Sequence, residues 1–294
     1  MIANILLTIL LSSQMFLSVN INNGLILGAQ ENIDNTNNLP QRIINNNLDI
    51  AISAESVLVI DVKSGKILYE KNANQQMPIA SITKLMSMLI FLDTQPDFNK
   101  EVNYSLSDLT GGEKMEFKPG EKVKIQDLFY SSLIASTNNT VKTLVRSTGI
   151  GKQEFVNKMN EKAKELGMTN TYFKDTTGLS KFNVSTANDI VILLKSEIAK
   201  QIIQEILAIP EYTFTTNLGQ YKTQSTNLLL NNKFFNIQFG KTGYIEEAGW
   251  CFTSFGKVKD NNIITVVLGS STQDSRFQDT KTLYWWVQEN FKFI

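Results

Sequence analysis

Three strand-like runs follow one another near the end of the chain: "NIQFGKTGY" (236–244), "GWCFTSFGKV" (249–258) and "NIITVVLGSS" (262–271). Short turns join them, so neighbouring runs pair as antiparallel hairpins. Far upstream, "SVLVIDVKSGKILYEK" (56–71) has the same character, with two runs of Val, Ile, Leu and Tyr around Lys63-Ser64-Gly65. Between these ends helical periodicity dominates, from Ile79 to about Lys164. "IQDLFYSSLIA" (125–135) and "NTVKTLVRSTG" (139–149) are predicted helices on either side of a polar break at Ser136-Thr137-Asn138. "KQEFVNKMNEKAKELG" (152–167) is an amphipathic helix stopped by Gly167, and "SRFQDTKTLYWWVQENF" (275–291) is the closing helix. Strands at both ends with helices between them are most economically satisfied by one antiparallel sheet covered by helices, plus a helical insertion. The expected fold is α+β, in two lobes with a cleft between them.

Composition narrows the chemistry. Across 294 residues, 42% are hydrophobic and 19% charged, enough to bury a full core. Lys+Arg and Asp+Glu balance at 28 each, which gives no electrostatic reason to expect nucleic acid or an anionic membrane surface as partner. One cysteine, Cys251, excludes an internal disulfide and a Cys-rich structural zinc site. There is no histidine at all. Ser-His-Asp, Cys-His and His-ligated metal mechanisms are therefore excluded, and acid–base work must fall to carboxylates, Tyr or Lys.

The N-terminal run "ILLTILLSSQMFLSV" (5–19) is uncharged and shorter than a spanning helix of about 20 residues, which suits a secretory apolar segment. No Lys or Arg precedes Arg42, and the nearest small-residue cleavage pattern is the poor "LGAQ" (27–30). Residues 1–29 are thus expected to be a signal peptide or an uncleaved anchor, with a buried first helix as the plainer reading. Residues 30–48 are Asn-rich and read as a linker. The expected catalytic domain is 49–294.

"MPIASITKLMSMLIFLD" (77–93) is apolar on nearly every side of a helix, yet it carries Lys84 one turn after Ser81. A serine hydroxyl becomes a useful nucleophile when a base takes its proton, and a desolvated lysine can be that base. A helix start beside Ser81 would also offer backbone N–H groups to an oxyanion. The plainer reading is a capping serine and a lysine that reaches for solvent. Ser254-Phe255-Gly256-Lys257 matches the same pattern, but follows a strand and contains Gly, so its side chains need not converge. Ser136-Thr137-Asn138 could face a cleft or simply cap the next helix. Lys241-Thr242-Gly243, preceded by Gly240, lines up a cation, a hydroxyl and bare backbone, suited to gripping a carboxylate at a strand edge.

In this order the three motifs match the signature shared by class A β-lactamases and penicillin-binding proteins. The chain resembles the D-alanyl-D-alanine carboxypeptidases among the latter. "VLVIDVKSGKILYEKNANQQMPIASITKLM", "FKPGEKVKIQDLFYSSLIASTNNTVKTL", "FVNKMNEKAKELGMTNTYFKDTTGL", "QSTNLLL", "GKTGYIEEAGWCF" and "RFQDTKTLYWW" carry the likeness over most of Ala54 to Phe291. The resemblance implies a β-lactamase/DD-peptidase-like fold. It implies Ser81 as the acylated nucleophile, Lys84 as its base, Ser136 as proton relay and Asn138 as holder of Lys84 and the substrate amide. Lys241 and Thr242, with Gly243 and Tyr244, would bind substrate, and the N–H groups of Ser81 and Tyr244 would form the oxyanion hole. It further implies a peptidoglycan stem peptide ending in D-Ala-D-Ala as substrate and β-lactams as covalent inhibitors. Nothing in the sequence calls for a metal or organic cofactor, and the N-terminal run leads us to expect export to the periplasmic or extracellular face of the cytoplasmic membrane, with any anchoring through residues 5–19.

Two departures stand out: Thr137 replaces the usual Gly or Asp, where a β-branched side chain is expected to narrow the cleft, and Ile245 replaces a common Thr. "EKAKELGMTN" does not match the Glu-x-x-Leu-Asn stretch of a class A β-lactamase. An endopeptidase or transpeptidase with the same acyl-enzyme chemistry stays open, as does a non-catalytic binding module on the same fold.

Overall fold

The computed structural model describes residues 39–43, 49–110, 117–198, 201–230 and 235–294. They belong to one compact unit, Thr36–Ile294. The expected signal or anchor at 1–29 lies outside the described residues, as does most of the 30–48 stretch. Part of that stretch is not a free linker: Gln41–Arg42 (β1) forms a small antiparallel ladder with the last strand of the chain. The Ile43 N–H extends it by donating to the Asn290 carbonyl at 2.8 Å.

Ser56–Asp61 (β2) and Ile67–Lys71 (β3) form the expected hairpin. Met77–Pro78 (β4) leads through one 3-10 turn, Ala80–Ile82, into Thr83–Asp93 (α1). Helical periodicity then breaks: Glu101–Asn103 (β5) pairs with Lys122–Lys124 (β6) before Ile125–Ile134 (α2), Asn138–Ser147 (α3) and Lys152–Glu165 (α4). Val184–Ser185 (β7) pairs with β4 and precedes Ala187–Ile198 (α5) and Gln201–Leu207 (α6). Glu211–Thr215 (β8) and Gln220–Gln224 (β9) form a second small hairpin. Asn236–Ile245 (β10), Gly249–Val258 (β11) and Asn261–Ser270 (β12) follow, then Ser275–Asn290 (α7) and Phe291–Lys292 (β13), which meets β1.

The five-stranded sheet has the order β10-β11-β12-β2-β3 and is antiparallel throughout. Strands from both ends of the chain therefore share it, as expected. β2 reads "SVLVID" without a polar interruption because both of its faces are covered. Alternate residues go opposite ways. Leu58 and Ile60 join the core of the helical lobe, whereas Val57 and Val59 pack with Phe277, Leu283 and Val287 of α7.

The helical lobe is built around α1. Every residue from Thr83 to Phe91 is buried, and α2, α3, α4 and α5 all pack against it. A helix enclosed on all sides has no need of a polar stripe, which explains its nearly unbroken apolar sequence. At the far side of that lobe Phe117, Phe214 and Tyr221 pack ring to ring.

Candidate active site

The site begins at the turn before α1. Ala80 adopts φ +46° although it is not glycine, a conformation that surroundings must impose. Two neighbours pack bare backbone against it. A Cβ at Gly178 would stand 2.0 Å from the Ala80 carbonyl oxygen, and one at Gly243 would stand 3.0 Å from the Ile79 oxygen and 3.2 Å from the Ser81 nitrogen. A loop from one side and the edge strand β10 from the other thus press bare backbone onto this turn. Ser81 is left half-buried at the head of α1, with β10 running beside its N–H.

One turn on, Lys84 is completely buried. Its Nζ lies 2.7 Å from Ser81 Oγ, 2.7 Å from Asn138 Oδ1 and 2.8 Å from the Thr177 carbonyl oxygen. Three acceptors match the three donors of an ammonium ion. With the amine neutral, its two N–H bonds serve Asn138 and Thr177 and its lone pair faces the serine hydroxyl. Both protonation states are accommodated without moving a heavy atom, as a proton-transfer group requires.

Across the cleft stands a second buried lysine. Lys241 Nζ donates to Ser136 Oγ at 2.6 Å and to the Thr242 carbonyl at 3.0 Å. Ser136 has φ +64°, the left-handed corner between α2 and α3 that turns its hydroxyl out of the helical lobe toward β10. Burial first, then repulsion from Lys84 and Arg276, holds the Lys241 amine well below the usual lysine value of 10.5. Thr242 Oγ1 donates to Thr226 Oγ1 at 2.6 Å. Tyr244 is exposed and stacks on Trp250, centroids 3.9 Å apart. Ser81, Lys84, Ser136, Asn138, Lys241, Thr242 and Gly243 are therefore brought together from the three motifs, with Tyr244 next along β10. The Ser254/Lys257 copy is not: it lies on β11, where residues three apart face opposite sides.

Sequence reasoning gave no role to three further groups. Arg276, at the start of α7, is buried, lies over the Trp250 ring and donates to the Gly243 carbonyl at 3.3 Å. Burial lowers its guanidinium to about 10, and its Nε has no hydrogen-bond partner among the described residues. Arg276 and, when protonated, Lys241 make this site attractive to an anion. Asp175 is the second group. Its carboxylate accepts from the N–H groups of Thr177 and Gly178 at 2.7 Å each and of Ser180 at 2.6 Å. Burial alone would raise this carboxyl, but the backbone donors outweigh it and hold it below the ordinary value of 3.8. The turn so fixed presents Thr177 O to Lys84 and presses Gly178 onto Ala80. Thr226, partner of Thr242, is the third. A signal existed for Asp175, since Asp-x-x-Gly is turn chemistry; none marked Arg276.

The Thr137 expectation fails. Its side chain is buried and its hydroxyl bonds to Thr140 Oγ1 at 2.6 Å and to the Ser131 carbonyl at 3.2 Å. It points into the α2–α3 packing and does not narrow the cleft. Ile245 is half-buried against the core of the helical lobe.

Comparison with known proteins agrees with this arrangement. A family described as D-alanyl-D-alanine carboxypeptidase matches residues 42–272. The chain is 33% identical over 241 residues to a D-alanyl-D-alanine endopeptidase of Pseudomonas aeruginosa, covering 81% of this chain and 78% of that one. It is 33% identical over 246 residues to D-alanyl-D-alanine carboxypeptidase DacF of Bacillus subtilis, covering 80% of this chain but only 62% of that longer protein. Among solved structures, penicillin-binding protein D2 of Listeria monocytogenes, in its cefotaxime-bound form, superposes with TM-score 0.71 at 30% identity, covering 82% of this chain and 99% of the other. The α+β fold, the matched length and the family match converge: this chain belongs to the D-alanyl-D-alanine carboxypeptidase family and has the fold of the penicillin-binding proteins.

Proposed function

We propose that Ser81 is the nucleophile, that Lys84 is its general base, and that the chain removes the terminal D-alanine from peptidoglycan stem peptides. The observation that carries this reading is Lys84 Nζ at 2.7 Å from both Ser81 Oγ and Asn138 Oδ1, in a fully buried position. Lys84 takes the hydroxyl proton as Ser81 Oγ attacks the carbonyl carbon between the two D-alanines. The N–H groups of Ser81 and Tyr244 receive the developing oxyanion. Collapse breaks the C–N bond, and the amine of the departing D-alanine takes its proton through Ser136 and Lys84. Water, deprotonated by Lys84, then hydrolyses the ester and frees Ser81.

The substrate's terminal carboxylate is gripped by Lys241 and Thr242, with Arg276 behind them. Two buried cations without a carboxylate partner among the described residues favour such an anion. A β-lactam follows the first half of the same path, but its ring-opened amine stays tethered and blocks water. Such an enzyme acts outside the cytoplasmic membrane, which accords with the apolar run at 5–19. Release of D-alanine from diacetyl-L-Lys-D-Ala-D-Ala tests the reading: wild type releases it and Ser81→Ala does not.

A second reading rests on the endopeptidase name of the Pseudomonas aeruginosa relative. The same acyl-enzyme chemistry would then cut a cross-link between two stems, and faster cleavage of a cross-linked dimer than of the free pentapeptide would favour it.

A further inference from the structure

A second cavity adjoins the catalytic centre and has no part in the chemistry above. It holds about 470 Å³ and lies along α3, between that helix and the turn that supports Lys84. Thr177 belongs to both places, since its carbonyl holds Lys84 while the residue lines the cavity. Asn138, Lys142 and Arg146 follow one another at intervals of four on one face of α3, so Arg146 stands about 12 Å along the axis from Asn138. That is the reach of three to four extended residues.

The charges along this path are unequal in availability. Both lining carboxylates are occupied within the protein. Asp108 is held by Arg146 at 2.7 Å and by Thr143 at 3.1 Å, and Asp175 by its own turn. Arg146 nevertheless keeps 41% of its side chain exposed. Lys142, which donates to the Leu109 carbonyl at 3.3 Å, and the exposed Lys152 complete the rim. The far end is closed by the start of α4, where Gly151 provides no side-chain cap.

We propose that this groove is an upstream subsite that binds a carboxylate carried by the acyl-donor peptide two to three residues before the scissile bond. It rests on the reading above, in that the peptide's reactive carbonyl sits at Ser81 and its amide at Asn138. From there the chain runs along α3, and Lys142 and Lys152, with the exposed side of Arg146, meet the acid. Neutral peptides leave the groove empty and lose this contribution to binding.

The test compares two tetrapeptides, γ-D-Glu-L-Lys-D-Ala-D-Ala with the glutamyl α-carboxylate free and the same peptide with that carboxylate amidated. For the wild-type chain kcat/KM for the acid is expected to exceed that for the amide by about three- to tenfold, falling toward equality in 0.5 M salt. In the Lys142→Gln/Lys152→Gln double variant the two peptides are expected to become equal, while the amidated peptide is processed as by wild type. Calorimetry on Ser81→Ala gives the same comparison as Kd without turnover. Selective binding without hydrolysis would overturn the assigned reaction and leave the groove standing. Equal handling of the two peptides by wild type, or selectivity that persists in the double variant, would overturn the groove.

Discussion

Lys84 and Lys241 are both buried, both hydrogen-bonded to a serine, and placed on opposite lobes of the same cleft. Lys84 sits among neutral oxygen acceptors supplied by three segments of the helical lobe, Ser81, Asn138 and Thr177. Lys241, on the edge strand β10, meets only one hydroxyl and its neighbour's carbonyl and lies near Arg276, while the two lysines repel each other. The first environment suits a group that passes a proton back and forth; the second, poorer in acceptors, suits one that receives an anion. Burial alone does not decide what a lysine does, because the surrounding charges set its role.

Replacing each lysine should separate these roles. Lys84→Met is expected to slow acylation by about 10³- to 10⁴-fold for every acyl donor, with or without a terminal carboxylate, as stopped-flow rates with benzylpenicillin and a carboxamide-ended peptide would show. Lys241→Met is expected to cost about 10²-fold in kcat/KM, confined to donors that carry the carboxylate. Equal losses on both donor types would erase the distinction between the lysines.

The pH dependence carries the same contrast. Because the free-enzyme Lys241 ammonium titrates well below 10.5, its charge is present at low pH and lost as pH rises through that depressed value. The carboxylate-dependent part of kcat/KM is therefore expected to fall on the alkaline side earlier than an ordinary lysine would allow. Lys241→Arg should move that limb to higher pH.

Asp175 tests how far positioning matters. Asp175→Asn keeps the shape but replaces one acceptor oxygen by a donor that faces backbone N–H groups, so Thr177 O drifts from Lys84. About a tenfold fall in kcat with KM little changed is expected, measured by steady-state kinetics. With its folded-state value below 3.8, the native carboxylate contributes stability that is full above about pH 4 and is lost as pH falls further. Thermal unfolding of the variant should accordingly lose that acid-side dependence.

The smallest effect is expected at Thr137→Gly. Acylation should stay within about twofold, because the side chain faces away from the cleft. Stability should fall by about 1–2 kcal/mol through lost hydrogen bonds and added chain entropy, read as a lower Tm.

Much of the fold could be read in the chain because its layers are simple. A strand buried on both faces reads as "SVLVID", and a helix enclosed by four others reads as "TKLMSMLIFLD". The β8–β9 hairpin went unread, although Tyr212/Phe214 and Tyr221/Thr223 carry the alternation of a strand, since its aromatic residues face a cluster built from distant segments. The β5–β6 pairing was missed for a related reason. Three-residue strands carry too little pattern to register.

Within the site, motif residues were legible because chemistry fixes both their type and their spacing. Arg276 was not, since nothing local distinguishes a buried arginine beside the motifs from one on a surface helix. Only the register of α7 over β10 and β11 gives it meaning. Thr137 misled in the opposite direction: a β-branched residue between Ser136 and Asn138 was expected to narrow the cleft, but the left-handed corner at Ser136 rotates it inward.

Intact-protein mass spectrometry after exposure to benzylpenicillin tests the Ser81–Lys84 pair most directly, with the second Ser-x-x-Lys copy as an internal control. Wild type and Ser254→Ala are expected to gain one covalent adduct, with the label on the peptide that contains Ser81, and Ser81→Ala to gain none. An unlabelled wild-type chain, or an adduct that persists in Ser81→Ala, would contradict the assignment of Ser81 as nucleophile.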